Sequence, residues 1–545
     1  MITLTTTKPA AKEVELELAD IQGNILTAYG RLGFPKARYL VLSFDKKKAP
    51  QAREFVNALR PKITTALRWP SSKDIPTGAV VAERPMVALN VAFTFDGLLA
   101  LGVSIRTLRG MPDDFIEGMR ARRTILGDDT PENPVEEWDP VWNPERAEGT
   151  VHMLVTLNAR MREDGTGLPV PELDVMTSWI QDLCARSGGA VRILKGHGGP
   201  DAEYQDLSAL TQDGIPCAKE HFGYTDGISD PVFDGQYPDG YAKSVAVGGG
   251  ATDGQGNWRP LATGEFLLGW PDEAQEIPGA AMPLDFSRNG TFIAYRKIAQ
   301  DVGAFNAWVE DAAAKLKVLW DLSSHEEAKE TLLAKMAGRW TDGVPLAVAP
   351  DYRSWLSFNQ EFPADSKDPA VLAERGRRLV DFLYQGDETG SRCPVTAHIR
   401  RANTRDMLDP EAANKDPKSR MGSALNNRRR ILRRGLPFGG NNGTPGEKGI
   451  VMLAVCASLQ RQFEFVQQQW INYGLDFNAG NDTCPIIGNH GEDAKFVIAA
   501  DPKTGKPPFI AARLKQFVRT RGGDYFFVPS MTALRMIAMG VTDPT

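Results

Sequence analysis

Apolar positions in this chain recur with two periods, in short stretches separated by polar turns. Arg38-Tyr39-Leu40-Val41-Leu42-Ser43-Phe44 is aromatic and β-branched enough to predict a strand. Phe55, Val56 and Leu59 follow at helical spacing within residues 50–60. Residues 86–95 predict a second strand, with Val87, Leu89, Val91 and Phe93 alternating, and residues 96–101 a short helix. The same succession returns later. A strand is expected over 291–296 with a helix over 304–316. Another is expected over 450–455, with Ser458 as N-cap of a helix carrying Phe463, Phe465, Val466 and Trp470. Four strand-then-helix units, two per half, predict a duplicated α+β architecture with helices against the sheets. Residues 129–148 read as a long loop, and the Gly-, Asp- and Pro-rich 233–265 as the passage between halves.

Composition narrows the classes. At 545 residues the chain exceeds one compact domain, and 42% hydrophobic with 24% charged residues is ordinary for a globular protein. A net charge of −6 argues against general nucleic-acid binding. Five cysteines are scattered singly, with no CxxC pair, which fits reduced thiols and a cytoplasmic setting. The first residues carry no basic stretch followed by an apolar one, so no secretory signal is expected, and no apolar run reaches membrane-spanning length. None of the six histidines has HExxH spacing.

Three segments carry candidate chemistry. In His221-Phe222-Gly223-Tyr224-Thr225-Asp226-Gly227-Ile228-Ser229-Asp230-Pro231, two glycines bracket one carboxylate. Such a loop is either a plain Asp-Gly turn or a shaped mounting for an acid. His398 lies in Ala397-His398-Ile399-Arg400-Arg401-Ala402-Asn403-Thr404-Arg405. It is either a satisfied histidine beside a basic patch or a lone axial ligand with arginines near it. Residues 428–434 hold five arginines in seven positions, either a solvated face, a patch for an acidic partner, or a run with one guanidinium at an apolar boundary. Gly248-Gly249-Gly250 and Gly439-Gly440 lack the flanking residues of a phosphate loop, and no GxSxG elbow supports hydrolysis.

Taken together and in order, these segments resemble the dye-decolorizing peroxidase family in its longer form. Phe222–Ser229 matches the family's GxxDG signature, Ala397–Arg405 its proximal-histidine segment, and Ile431-Leu432-Arg433-Arg434-Gly435-Leu436-Pro437-Phe438-Gly439 its distal-arginine segment. Asp20-Ile21-Gln22-Gly23-Asn24-Ile25-Leu26, Gly264-Glu265-Phe266-Leu267-Leu268-Gly269-Trp270, Gln462-Phe463-Glu464-Phe465 and Arg521-Gly522-Gly523-Asp524-Tyr525-Phe526-Phe527 are similar to it as well. The resemblance implies two ferredoxin-like α+β domains, at 20–240 and 241–545 after a tail at 1–19, with haem b held mainly by the second. It implies His398 as the iron ligand and Asp226 and Arg433 as catalytic residues. It implies Gly227, Ile228, Ser229 and Met452 at the cofactor, with Arg400 or Arg405 on its propionates. The implied reaction reduces hydrogen peroxide and oxidises an aromatic donor, with no membrane or nucleic-acid partner and with a homo-oligomer as a further expectation. A haem-binding, iron-releasing protein on the same fold is the alternative. The chain departs from the family's pattern in three places. Thr404 replaces a frequent proline, Met452 a frequent aromatic residue, and Cys484 a frequent aspartate. If that aspartate orients the histidine, Asp482 is the nearest substitute.

Overall fold

The computed structural model describes residues 14–69, 83–143, 145–253, 256–278, 280–408, 422–441 and 443–541. Residues 1–13 of the expected tail lie outside the described residues. Of the rest of that tail, Leu16 is buried.

The strongest apolar runs become strands of one antiparallel sheet. In chain order these are β1 (Lys36–Phe44), β2 (Val87–Phe93), β3 (Met153–Ala159), β4 (Val191–Ile193), β5 (Gln205–Ser208), β6 (Thr291–Gln300), β7 (Leu432–Phe438), β8 (Gly449–Cys456) and β9 (Val518–Val528). Their spatial order is β7-β8-β6-β9-β2-β3-β1-β4. β5 shares the outer edge of β1 with β4, pairing Lys36–Tyr39 where β4 pairs Leu42–Phe44. Strands preceding residue 210 thus sit together, as do those following residue 290. The two groups meet where Phe527 of β9 pairs with Phe93 of β2.

Alternation in β2 predicts one wet face, yet every residue of β2 and β3 is buried. Helix α2 (Glu172–Arg186) lies against both strands. Thr156 and Asn158 of β3, together with Tyr39 opposite Thr156 on β1, instead line an internal cavity. Polar alternants therefore face a cavity rather than solvent.

Several helices begin where side chains satisfy free N–H groups. α1 (Ala49–Leu59) covers Ala52, Phe55, Val56 and Leu59, as its spacing predicts. Asp301 caps α3 (Val302–Trp320), and Ser324 caps α4 (His325–Ala337). A reciprocal Asp351–Ser354 capping box opens α5 (Tyr352–Glu361), and Asp368 followed by Pro369 opens α6 (Pro369–Val380). The short α7 (His398–Ala402) carries the candidate ligand, and α8 (Met531–Met539) closes the chain. Ser458 does cap Arg461, but the turns that follow, Leu459–Glu464 and Val466–Ile471, are π-helical rather than α-helical. Buried Gln462 within the first gives its amide to the carbonyls of Glu265 and Arg430. Such widened turns are frequent at functional sites, and Phe463, Val466, Gln467 and Ile471 here line the same cavity as β3.

Candidate active site

A cavity of about 670 Å³ opens between the sheet, α7 and the loop before Pro231. That volume falls within the range of cofactor and ligand sites, and most of its wall is apolar. Asp226, Gly227, Ile228, Ser229, His398, Arg405, Arg433 and Met452 all line it.

The acid loop is built by its own backbone. Gly223 and Gly227 adopt φ of 98° and 79°, which a side chain would strain. Glu220 is the loop's anchor: its carboxylate accepts the N–H groups of Phe222 and Tyr224, both at 2.9 Å, and Gln300 Nε2 at 2.6 Å. Burial pushes Glu220 up to about 7. Phe222 stacks on Phe305 at 4.1 Å, and Thr225 donates through both its N–H and its hydroxyl to the Thr341 carbonyl. Asp226 donates its own N–H to Ala218, and its Oδ1 accepts Gly227 N–H at 2.5 Å and Arg433 Nη1 at 2.8 Å. The Asp226 carboxylate in turn holds the Arg433 guanidinium above its ordinary range. Neighbouring Arg434 on β7 is spent elsewhere: it bonds Asp230 Oδ2 at 2.7 Å and the carbonyls of Asn24 and Ile25.

His398 stands at the first position of α7. Burial lowers it to about 4, helped by the Arg433 charge and opposed by that of Asp226, so the imidazole is neutral. Its Nδ1 lies 3.4 Å from Cys484 Sγ, and its Nε2 has no hydrogen-bond partner among the described residues. With the proton on Nδ1, the Nε2 lone pair is free toward the cavity. Asp482 does not back His398: its carboxylate takes Lys495 Nζ at 2.6 Å.

The arginines divide otherwise than the sequence suggests. Arg400 is fully buried away from the cavity, paired with Asp387 at 3.0 Å and bonded to the carbonyls of Cys393 and Asp387. It is thus not available to a group in the cavity. Arg405 is at the wall, bonding the carbonyls of Val380 and Phe382 and, at 3.3 Å, Ser229 Oγ. Arg339, which no sequence motif singles out, reaches the same hydroxyl at 3.5 Å. Burial lowers both guanidiniums, to about 9 for Arg339 and about 10 for Arg405, and neither forms an ion pair among the described residues. Two buried cations converging without an ion pair are costly, and a bound dianion would relieve them.

The basic run 428–434 is not a solvated face. Arg428 pairs with Asp272, Arg429 bonds the Arg461 carbonyl, and Arg430 bonds the carbonyls of Gly249 and Gly250. The glycine triplet therefore presents acceptors to an arginine rather than donors to a phosphate.

Among the described residues no cluster of three or more His, Cys, Asp or Glu side chains could hold a bare metal ion. A lone neutral imidazole in a large apolar cavity suits a metal that arrives with its own planar ligand set. Fold and cavity together define an α+β protein in which an imidazole and an acid–guanidinium pair share one largely apolar cavity. Residues 20–165 match the family described as DyP dimeric alpha+beta barrel domain. The chain is 28% identical to Peroxidase 2 of Mycetinis scorodonius, over 96% of this chain and 88% of that protein. It is 28% identical to the multifunctional dye peroxidase DyP2 of an Amycolatopsis species, over 98% of this chain and all of that protein. A solved ancestral D-type dye decolorizing peroxidase is 25% identical with a TM-score of 0.67, covering 96% of this chain and 99% of that one. Over nearly its whole length the chain is thus similar to dye-decolorizing peroxidases. No described helix is long and apolar enough to cross a membrane.

Proposed function

We propose that this chain is a haem b peroxidase that reduces hydrogen peroxide and oxidises aromatic, dye-like or phenolic donors. One observation carries the reading: a neutral imidazole with an open Nε2 shares an apolar cavity with the Asp226–Arg433 pair. The residues fit the cofactor. His398 Nε2 would ligate the iron, Arg339 and Arg405 would take the propionates, and Gly227, Ile228, Ser229 and Met452 would wall the macrocycle. When bound, haem supplies an iron that takes peroxide and accepts the oxidising equivalents of its O–O cleavage.

The protein's share is proton and charge handling. Asp226 accepts a proton from the oxygen of peroxide nearest its carboxylate and returns it to the departing oxygen, which leaves as water. Arg433, fixed 2.8 Å from Asp226, stabilises the negative charge that develops as that bond breaks. Asp226→Asn keeps the shape and loses the base. The haem-loaded variant should consume peroxide ~10²–10⁴-fold more slowly, the usual worth of a positioned acid–base group. A rate equal to the wild type removes Asp226 from this role.

Donors too large for the cavity need another route. Buried Trp340 lines the cavity and stacks on half-buried Trp355 of α5, with ring centroids 4.8 Å apart and planes 7° from parallel. Trp355 donates Nε1–H to Asp342 Oδ2 at 3.1 Å. In this reading a donor at α5 gives one electron through Trp355 and Trp340 to the peroxide-oxidised site and leaves as its radical. All five cysteines are free thiols, which supports a reducing, cytoplasmic setting.

A further inference from the structure

We infer that Cys484 is the positioning residue of His398, and that it holds the ligand imidazole without the charge of a carboxylate. This rests on the haem reading above. Cys484 Sγ lies 3.4 Å from His398 Nδ1, the side chain is wholly buried, and no carboxylate bonds that ring among the described residues. Asp482, two positions earlier, points to Lys495 instead.

The sulfur is fixed from its own backbone. Cys484 N–H donates to the Ile471 carbonyl at 2.8 Å, and its carbonyl accepts Gly488 N–H at 3.0 Å and faces His490 Nε2 at 2.9 Å. Its surroundings are electropositive. The nearby backbone N–H groups of Ile486 and Ile487 act electrostatically on the sulfur. Fully buried Arg401 also acts on it, although among the described residues that guanidinium bonds carbonyls alone, those of Val395, Trp470, Tyr473 and Asp482. Burial outweighs these donors, so the side chain at this position is a neutral thiol.

The chemistry differs accordingly. Sulfur is a weak acceptor, whereas a hydrogen bond to an ionised oxygen is roughly twice as strong as a neutral one. A carboxylate on the far nitrogen raises the basicity of a ligating imidazole, and hydrogen bonding to the axial ligand sets the iron potential. A neutral sulfur partner orients the ring while leaving it less basic. The iron is then easier to reduce, and the iron–histidine bond weaker, than with an acid at position 484.

The test uses the haem-loaded full chain, with resonance Raman spectroscopy of the ferrous iron–histidine stretch and redox potentiometry. Cys484→Asp should move the stretch to higher frequency and the potential downward. Cys484→Ser, which keeps a neutral partner, should stay close to the wild type on both readouts. Asp and wild-type proteins that coincide on both would overturn the inference. Should Cys484→Asp fail to retain haem, Cys484→Ala decides: loss of the partner frees the ring and shifts the stretch, and an unchanged stretch overturns the proposal. A wild type that binds no haem fails earlier, at the parent reading. Haem ligated by His398 but indifferent to position 484 fails here alone.

Discussion

At the scale of single residues, position and partner decide what each ionisable group does. Asp226 and Arg433 are 207 positions apart in sequence and meet at 2.8 Å because a glycine-bounded loop and a sheet strand converge on one cavity. Arg433 and Arg434 are adjacent in sequence, but one pairs with Asp226 and the other with Asp230. The ordered resemblance pointed to Asp226, His398 and Arg433; the local segments alone left each open. Arg339 was not legible, because its relation to Arg405 exists only through their shared approach to Ser229. Asp482 was the wrong partner for His398 because nearness in sequence does not tell where a carboxylate points; Lys495 claims it. A pH effect belongs at this scale. His197 is buried, both its ring nitrogens lack hydrogen-bond partners among the described residues, and burial beside the Lys297 charge lowers it to about 3. The unfolded chain takes up a proton near pH 6.5 that the folded one refuses, so this residue subtracts stability as pH falls from 6.5 toward 3. The slope is about 1.4 kcal/mol per pH unit once the unfolded histidine is fully charged. His197→Phe should therefore gain more over the wild type in urea unfolding at pH 5 than at pH 7.5. Equal gains would contradict the assignment.

At the scale of elements, apolar periodicity located β1, α1, β2, β6 and β8 to within a few residues, since packing follows the same repeat. It did not reveal how β2 loses its wet face, because the helix that lies against it, α2, comes only after β3 in the chain. Nor did it show the π-turns after Ser458, whose width is bound up with carbonyl contacts to Glu265 and Arg430. On α5, Trp355 gives the proposed electron route its outer end, while Trp340 remains at the cavity wall. Trp355→Phe should lose most turnover of a bulky anthraquinone dye while keeping oxidation of a small phenol that enters the cavity. Parallel loss of both, or loss of neither, would remove α5 from the route. The readout is the ratio of the two kcat/KM values, which a general loss of folding does not change.

At the scale of the whole molecule, the strands of the two halves form one sheet and share a hydrophobic cluster, rather than forming two units tethered by a linker. Buried pairs cross between them: Arg296 of β6 takes both carboxylate oxygens of Asp128, at 2.5 and 2.6 Å, and Lys297 takes Asp139 at 2.6 Å. Breaking a buried pair by removing one partner costs about 3–5 kcal/mol, because the other charge is left uncompensated. Asp128→Ala should lower the thermal midpoint while circular dichroism and tryptophan fluorescence still report a single coincident transition. Two separated transitions would mean that the halves unfold independently. The same enclosure surrounds His398, Asp226 and Arg433 with residues from both halves.

The central claim is that this enclosed cavity takes haem through His398. It is tested most directly by the absorption spectrum of the protein reconstituted with haem, recorded for the wild type and for His398→Ala, before and after peroxide. A wild-type Soret band that peroxide shifts, and that His398→Ala loses or alters, is the predicted result. No Soret band in the wild type, or the same spectrum in both proteins, would contradict it.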